Sequence, residues 1–372
     1  MPRAELRILA VNPGSTSTKF AVFEGAEAVL VRNLKHEPAD LEPFRGRPIL
    51  DQAAFRTARI EEELAAAGLD VRDVSAVVGR GGLLRPLASG TYLVDETMLE
   101  ELRRAERGEH ASNLGAFLAS RLAARAGVPA CVVDPVSVDE WPEKARLSGS
   151  PLLRRQCFSH ALNTKAVAKR FARETGRSYP DLRLVVVHLG SGISVSSHEG
   201  GRMVDVNNTR EEGPFSAERA GGVPVMQLVD LCFSGRYTRK DVETLLFREG
   251  GLEAHLGTKD LEEVERRIEK GDRRAALVYD AMVYQVSKQV GAMAAALKGL
   301  VDAILLTGGM AHSTRLCASL RESVEWIAPI AVYPGEDELV ALAEGALRVL
   351  GGEEPARVLE PDTVPALAGT KP

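Results

Sequence analysis

Two short segments of the sequence combine glycine with hydroxyl and amide side chains, which suits them to binding phosphate. The first is residues 12–19 (Asn-Pro-Gly-Ser-Thr-Ser-Thr-Lys), whose candidate ligand-binding side chains are Asn12, Ser15, Thr16, Ser17 and Lys19. Glycine lets a backbone approach a ligand closely, and consecutive N–H and O–H donors can surround phosphate oxygens. A solvated hairpin tip is the structural alternative.

The second segment, residues 188–192 (His-Leu-Gly-Ser-Gly), offers Gly190, Ser191 and Gly192 for the same chemistry. Two such tips facing one another would hold a triphosphate from both sides. The sequence contains neither GxxxxGK[ST] nor a GxGxxG that opens a helix after a strand. A bound nucleotide would therefore not be held by a P-loop or a Rossmann motif.

Two arginines are placed to reach an anion. Arg80 stands between glycines at the end of a predicted strand, and Arg219 lies in the Gly/Pro-rich loop 213–222. The planar guanidinium matches the geometry of a carboxylate or a phosphate. Pairing with Glu212 or Glu218 is the structural alternative for Arg219.

A glycine pair, Gly308 and Gly309, follows the apolar strand predicted over residues 303–306. Ligands favour the carboxyl ends of strands in open α/β sheets. The pair therefore suits close packing against an adenosine group, and an ordinary strand-to-helix turn explains it equally well.

Four further polar residues are candidates for an active site: Asp134 after the predicted strand 130–133, and the histidines His110, His160 and His188. Capping a turn is the alternative for Asp134, and a structural role is the alternative for each histidine. The histidines lack metal-ligand spacing and no GxSxG is present, which disfavours a protein-only metal site and a serine hydrolase.

The elements that must position these residues form a repeated pattern. The order strand, glycine turn, strand, glycine turn, strand occurs over residues 7–31 and again over 182–206. Asn12 and His188 occupy equivalent places, about half of the chain apart. Two related α/β domains are therefore predicted, each opening with an antiparallel meander. Helices are predicted over 97–106, 114–126, 228–233, 260–270, 275–297 and 339–350.

Composition narrows the class of protein. The chain has 372 residues, a formal net charge of −5 and 45% hydrophobic residues, so it suits two globular domains and lacks the basic face of a nucleic-acid-binding protein. No apolar run is long enough for a membrane span, and no signal peptide opens the chain. Four widely spaced cysteines fit a reducing cytoplasm, where we expect the protein.

The motifs, taken in order, resemble those of the acetate kinase family. Residues 11–19 are similar to its opening signature, residues 188–192 to its second phosphate hairpin, and residues 307–309 to its adenosine loop. Residues 78–82, 134–136 and 213–221 are similar to the butyrate kinase branch of that family. The likeness covers nearly the whole chain up to about residue 351.

This resemblance implies an α/β fold of two duplicated ribonuclease-H-like (actin-type ATPase) domains with a nucleotide cleft between them. We place the first domain at 1–155, completed by the helix at 339–351, the nucleotide-binding second domain at 156–338, and a mobile tail at 352–372. A short-chain carboxylate or acyl phosphate substrate, ATP/ADP and Mg²⁺ are the implied ligands, and a homodimer or higher homo-oligomer is expected, with no nucleic acid and no membrane as partner.

The resemblance also assigns roles. Asn12, Ser15 and Ser17 match phosphate-loop positions, Arg219 matches the arginine that stabilises the transferring phosphoryl group, and Asp134 matches an active-site aspartate. His110, His160 and His188 fall near active-site histidines. A metal-facing acid is expected within residues 335–339, where Glu338 is the first choice and Glu336 the second, beside Asn12. One segment departs from the pattern: acetate kinases usually carry arginine at the place of Val77 and histidine at that of Arg80.

The expected reaction is reversible phosphoryl transfer from ATP to a short-chain, possibly branched, carboxylate, as in a butyrate kinase. An acetate- or propionate-type kinase stays open, as does a sugar or polyol kinase of the same fold, in which Asp134 would become a general base. A non-catalytic, actin-like interaction protein is the rival from another class. Chain length leaves such a protein little room for a further binding module.

Overall fold

Two β-sheets organise the chain. A computed structural model describes residues 5–360. The strands are Arg7–Pro13 (β1), Ser17–Glu24 (β2), Glu27–Lys35 (β3), Ala76–Arg80 (β4), Thr91–Leu93 (β5), Ala130–Val133 (β6), Leu184–Leu189 (β7), Ile193–Glu199 (β8), Arg202–Val206 (β9), Ala303–Gly308 (β10) and Ile330–Pro334 (β11).

Helices pack around these strands. They are Pro38–Leu41 (α1), Ala53–Ala66 (α2), Glu96–Arg104 (α3), Leu114–Ala126 (α4), Glu143–Arg146 (α5), Ala161–Glu174 (α6), Val225–Phe233 (α7), Arg239–Phe247 (α8), Gly251–Leu256 (α9), Leu261–Glu269 (α10), Arg273–Ala296 (α11), Thr314–Val324 (α12) and Glu338–Leu350 (α13). None of the helices within residues 5–360 is both long and apolar enough to cross a bilayer.

The chain forms two compact units, one of residues 5–137 with 337–360 and one of residues 138–336. The first unit holds a six-stranded sheet in the order β3-β2-β1-β4-β6-β5, and the second a five-stranded sheet in the order β11-β10-β7-β8-β9. In both sheets an antiparallel meander is extended by two parallel strands. The shared order confirms the predicted duplication. The predicted domain limits at residues 155 and 338 stay predictions.

Alternating apolar residues of the strands build each core. In the first unit Leu9 and Val11 of β1 and Phe20 of β2 pack against Ile60 of α2 and Leu118 of α4, and all five are fully buried. Burying one such side chain contributes about 1.5–3 kcal/mol relative to leaving it exposed. The second unit places β7 and β10 against α11 on one face and α6 on the other. One face of the long helix α11 thus forms part of the core.

Glycine allows one contact that positions Arg80. A Cβ added to Gly79 would lie 2.1 Å from the Gly115 carbonyl oxygen, and one added to Gly115 would lie 2.0 Å from the Arg80 carbonyl oxygen. No larger residue can occupy either position without moving β4 away from α4. The start of α4 therefore packs directly against the backbone at the end of β4.

The part of the predicted tail that the structure describes makes backbone contacts with β5. Arg357 N donates to Thr91 O (2.9 Å), Leu93 N donates to Arg357 O (2.8 Å), and Leu359 is 5% exposed. Residues 352–360 are held because the edge strand β5 offers unpaired backbone groups to which Arg357 bonds. Mobility of the tail stays a prediction, and residues 361–372 lie outside the described residues.

Candidate functional site

The first hairpin is a tight turn between β1 and β2. Gly14 N donates to Ser17 O (2.8 Å), which closes the turn and leaves Ser15 and Thr16 exposed at its tip. Asn12 and Lys19 are paired across the two strands, so their side chains share one face of the sheet. The candidate phosphate-loop residues of the first unit therefore lie together at one edge of its sheet.

Beside this hairpin the first unit brings three predicted site residues into contact. Asn12 Nδ2 donates to Glu338 Oε2 (2.5 Å), and Arg80 Nη1 donates to the same oxygen (3.1 Å) and to Asn12 Oδ1 (3.5 Å). The contact follows from the sheet, because β1 and β4 are parallel neighbours that end at the same edge, where α13 begins with Glu338. The carboxylate is nearly buried, with 11% of its side chain exposed.

Arg56, which the sequence analysis missed, lies beneath the same hairpin. It is fully buried on α2, and its guanidinium donates to Gly14 O (2.8 Å), Ser17 O (2.9 Å) and Ser15 O (3.0 Å). The helical spacing of the sequence could have indicated Arg56, because an arginine stands on an otherwise apolar or small-residue face of the helix. The buried residues of α2 are Ala53, Arg56, Thr57, Ile60 and Leu64.

Asp134 directly follows β6 and has a left-handed conformation, with φ of 38°. Its Oδ1 accepts hydrogen bonds from Ser89 Oγ (2.5 Å) and Gly90 N (2.8 Å), and its side chain is buried. An aspartate tolerates this backbone better than most residues, yet non-glycine residues there are uncommon and concentrate at functional sites. The described contacts tie Asp134 to the 89–90 loop.

His110 is exposed and caps the turn that precedes α4. Its Nδ1 accepts from Ser112 N (3.2 Å) and lies 2.8 Å from Ser112 Oγ. These contacts are local, so they do not bring His110 to the Asn12–Arg80–Glu338 cluster.

In the second unit two predicted histidines stack beside the second hairpin. The rings of His160 and His188 are 3.8 Å apart and 15° from parallel. His188 is buried, with Nδ1 2.8 Å from Asn163 Oδ1 and Nε2 3.1 Å from Glu336 Oε1. Asn163 therefore lies within hydrogen-bond distance of His188 Nδ1 and orients its ring. Asn163, one turn into α6, was not predicted.

Gly190 and Gly192 make room for neighbouring side chains around the second hairpin. A Cβ on Gly190 would lie 2.8 Å from His188 Nε2, and one on Gly192 would lie 2.7 Å from Arg219 Nη1. Arg219 Nη1 donates to Thr209 Oγ1 (2.9 Å), and burial lowers the pKa of this guanidinium. The second unit thus gathers His160, His188 and Arg219 at one hairpin.

The exposed Ser191 is anchored through its backbone, since its carbonyl accepts a hydrogen bond from Ser216 Oγ (2.5 Å). Ser216 also accepts from Arg219 N (3.3 Å), which links the arginine loop to the hairpin. Glu212, one of the two alternative partners considered for Arg219, is instead bound by Arg155 through Nε (2.9 Å) and Nη2 (2.9 Å).

Gly308 and Gly309 differ in what they do. Gly308 has φ of 92°, and a Cβ there would lie 2.4 Å from the Leu189 carbonyl oxygen, so it lets β10 approach the start of the second hairpin. A Cβ on Gly309 would meet nothing within 4 Å, and the residue is exposed. The open side of this turn is therefore at Gly309.

Metal-binding groups are few. Within residues 5–360 no cluster of three or more His, Cys, Asp or Glu side chains is arranged to hold a metal ion. Asn12 and Glu338 still offer an amide oxygen and a carboxylate within one cluster, in which Asn12 Nδ2 donates to Glu338 Oε2. Mg²⁺ in nucleotide sites commonly takes one or two carboxylates and completes its shell with water and phosphate. The two residues fit that donor set.

Comparison with solved structures identifies the fold as that of a class of phosphotransferases. The chain is similar to the acetate kinase of Porphyromonas gingivalis with a TM-score of 0.76 at 19% identity, over 92% of this chain and 99% of that one. The fold is therefore the duplicated α/β fold of these kinases, as predicted.

Comparison of sequences gives the family. Residues 146–328 match the Acetokinase family. The chain is 47% identical to butyrate kinase 1 of Clostridium acetobutylicum, over 94% of this chain and 99% of the relative. It is 48% identical to a probable butyrate kinase of Clostridium botulinum, over 95% and 99%.

The chain belongs to the acetokinase family, within its butyrate kinase branch. It is an ATP-dependent phosphotransferase with a carboxyl group as acceptor, and it uses ATP and ADP. The predicted family and enzyme class are confirmed.

Proposed function

We propose that the chain is a butyrate kinase that reversibly transfers the γ-phosphoryl group of ATP to a short-chain carboxylate, giving an acyl phosphate and ADP. The observation that carries this proposal is the identity of 47–48%, over nearly the full length, to proteins named as butyrate kinases. The Asn12–Arg80–Glu338 cluster and the Arg219 hairpin are consistent with it.

The reaction needs no general base. A carboxylate oxygen forms a bond to the γ-phosphorus while the bond to the bridging oxygen of ADP breaks, and no proton moves because a carboxyl group of ordinary pKa near 4 is already ionised. The barrier comes from bringing two anions together. Positive groups aimed at the transferring phosphoryl group are therefore the chemistry required.

Arg219 is the first such group. Its half-buried guanidinium lies against Gly192 and is held by Thr209, so it is preorganised beside the second hairpin. We propose that it stabilises the equatorial oxygens of the phosphoryl group, a role that contributes about 10³–10⁵-fold in rate in related reactions.

Arg80 is proposed to face the acceptor carboxylate. Its contact with Glu338 fixes the guanidinium at the end of β4 and satisfies one of its donors, which leaves others for a substrate anion. Asn12 and Glu338 are the proposed ligands of Mg²⁺, which when bound would neutralise the β- and γ-phosphates.

The remaining candidates are proposed to position rather than to transfer protons. Ser15, Thr16, Ser17 and Lys19 would bind phosphate at the first hairpin, and Gly190, Ser191 and Gly192 at the second, with Gly308 and Gly309 next to the adenosine. His160 and His188 would orient polar groups around the second hairpin. Asp134 would orient a histidine or a metal-bound water, and His110 stays a candidate.

A homo-oligomer and a cytoplasmic location are also proposed. In support of the former, α7 is apolar yet has no buried residue, and Val225, Met226 and Phe233 are 69–86% exposed. Exposed apolar patches of this kind often mark protein interfaces. The Ala-rich α11, by contrast, points Met282, Val286 and Val290 into the core.

The decisive experiment traps acyl phosphate with hydroxylamine, using ATP, Mg²⁺ and acetate, propionate, butyrate or isobutyrate. We expect hydroxamate to form fastest with the four-carbon acids. Glucose and glycerol run beside them in an ADP-release assay, and the Arg219→Ala variant, expected to lose about 10³-fold in kcat, controls for contaminating kinases. ADP release with a polyol and no hydroxamate would overturn the proposal. Fastest turnover of acetate would reassign the substrate.

A further inference from the structure

In the hairpin at residues 14–17, three carbonyl groups point toward one buried side chain, that of Arg56. Arg56 receives the carbonyl oxygens of Gly14, Ser15 and Ser17 within 3.0 Å, and it donates to Thr18 Oγ1 as well (3.0 Å). Gln52 Oε1 accepts from Arg56 Nε (3.0 Å) and Nη2 (2.8 Å), which fixes the guanidinium plane. Arg56 thus binds three carbonyl oxygens of the hairpin and the hydroxyl of Thr18.

Peptide geometry then determines where the loop's donors point. In a trans peptide the C=O and the following N–H are directed oppositely. With the Gly14 and Ser15 carbonyls turned toward Arg56, the N–H groups of Ser15 and Thr16 are turned away from it. Ser15 and Thr16 are exposed, so these donors face the solvent side of the hairpin. Adjacent outward N–H groups form an anion-binding concavity.

The buried positive charge of Arg56 also favours anion binding at this hairpin. The described hydrogen-bond partners of Arg56 are all neutral acceptors: three carbonyls, a hydroxyl and an amide. Burial lowers the pKa of Arg56 to about 10, which leaves it charged at neutral pH. His36 adds no competing charge, since burial and Arg56 lower its pKa to about 4. A cation under a loop of outward donors is a favourable environment for phosphate.

We infer that Arg56 is the positioning residue of the nucleotide phosphate site in the first unit: it holds the hairpin carbonyls inward so that the Ser15 and Thr16 amides bind a phosphate of ATP. Arg56 itself does not touch the ligand. The inference rests on the proposed function for the identity of the anion, a nucleoside triphosphate.

The test compares Arg56→Ala and Arg56→Lys with the parent chain. Lysine keeps the charge but lacks the planar fork that reaches several carbonyls. We expect both variants to raise the KM for ATP, and the Kd for ADP measured by calorimetry, by about 10- to 100-fold. That factor corresponds to the loss of one hydrogen bond to a charged group. The KM for butyrate should change less than about threefold. Added guanidinium ion should partly restore ATP binding to Arg56→Ala.

Leu64→Ala is the matched control. Leu64 lies on the same helix, is 2% exposed and belongs to the core, so its truncation lowers Tm without touching the hairpin. Its KM for ATP should stay within about twofold of the parent value. Should Arg56→Ala fail to fold, Gln52→Ala removes the anchor of the guanidinium and should raise the KM for ATP by about 3- to 10-fold.

Unchanged ATP and ADP binding in folded Arg56 variants would overturn the inference, as would a parallel rise in the KM values of ATP and butyrate. The same loss of ATP affinity in Leu64→Ala would also overturn it. Failure of the parent chain to phosphorylate butyrate would refute the proposed function instead, and the calorimetric ADP titration would still test Arg56.

Discussion

Two acidic residues only two positions apart have different partners. Glu338 accepts hydrogen bonds from Asn12 and Arg80 in the first unit, whereas Glu336 lies against His188 in the second. Glu338 is nearly buried and Glu336 is exposed. The chain passes from one unit to the other between them, so neighbours in sequence join separate clusters. A metal bound beside Asn12 would therefore use Glu338.

Replacing Glu338 by Gln tests this assignment. The amide oxygen can still accept from Asn12, but the negative charge that a divalent cation requires is lost. We expect the Mg²⁺ concentration for half-maximal activity to rise about tenfold or more. It is measured by titrating Mg²⁺ at constant free ATP. Glu336→Gln, the matched control, should leave that concentration within about twofold, and an equal rise in both variants would contradict the assignment.

At the scale of elements, glycine positions carry much of the geometry around the hairpins. Gly79 and Gly115 bring β4 and α4 into backbone contact beside Arg80, and Gly308 brings β10 against Leu189. From the sequence alone, Gly308 and Gly309 are predicted to act as one pair with one role. The structure separates them, because only Gly308 has a left-handed φ and a neighbour where its Cβ would be.

Gly308→Ala and Gly309→Ala measure that difference. Alanine at residue 308 meets both an unfavourable backbone conformation and a carbonyl at 2.4 Å, so we expect a loss of about 2–4 kcal/mol in the free energy of unfolding. Alanine at residue 309 meets open space and should change it by less than about 1 kcal/mol. Denaturant unfolding of the two variants gives both values. Equal losses would mean that Gly308 is not required by packing.

At the scale of the whole molecule, each unit buries a histidine in its neutral form. Burial and Arg56 lower the pKa of His36 to about 4, and burial, followed by Lys165, lowers that of His198 to about 3. His36 bonds Thr18 at 2.8 Å, and His198 bonds Tyr179 and Ser196 at 2.7 and 2.9 Å. Both units should therefore lose stability in acid.

The direction in which stability changes with pH follows from the number of protons that the native and unfolded chains bind. An unfolded histidine titrates near pH 6.5, so below that pH the unfolded chain binds more protons than the native one and stability falls as pH falls toward 4. At pH 5 each buried histidine costs about 2 kcal/mol relative to pH 7. We expect Tm to drop across this range, and His36→Gln to reduce the drop. The exposed His255 is the control, since His255→Gln should leave it unchanged. A Tm independent of pH between 7 and 5 would contradict the prediction.

Local pattern was enough to predict the strands of the two meanders, the two glycine hairpins and the duplication, but not the short strands β5 and β11. Alternating apolar residues and glycine turns specify a meander through contacts between sequence neighbours, and each predicted strand of the two meanders overlaps an observed one. The order of the same motifs also predicted the family and most of the candidate site residues. Local pattern did not predict the backbone hydrogen bonds between Arg357 and β5, because that strand lies far away in sequence.

The clusters themselves were decided by tertiary structure. Asn12 and Glu338 are 326 positions apart and Arg80 and Glu338 are 258 apart, and no local rule pairs them. Arg56 was overlooked because an arginine is ordinarily exposed, and only packing of α2 against β1 and β2 buries its guanidinium under the hairpin carbonyls. The sequence by itself determined which chemical groups the protein carries and the strands that bear them. Which of those groups touch, and which backbone donors stay open for phosphate, depended on long-range packing, because burial and hydrogen bonding are settled only when distant segments meet.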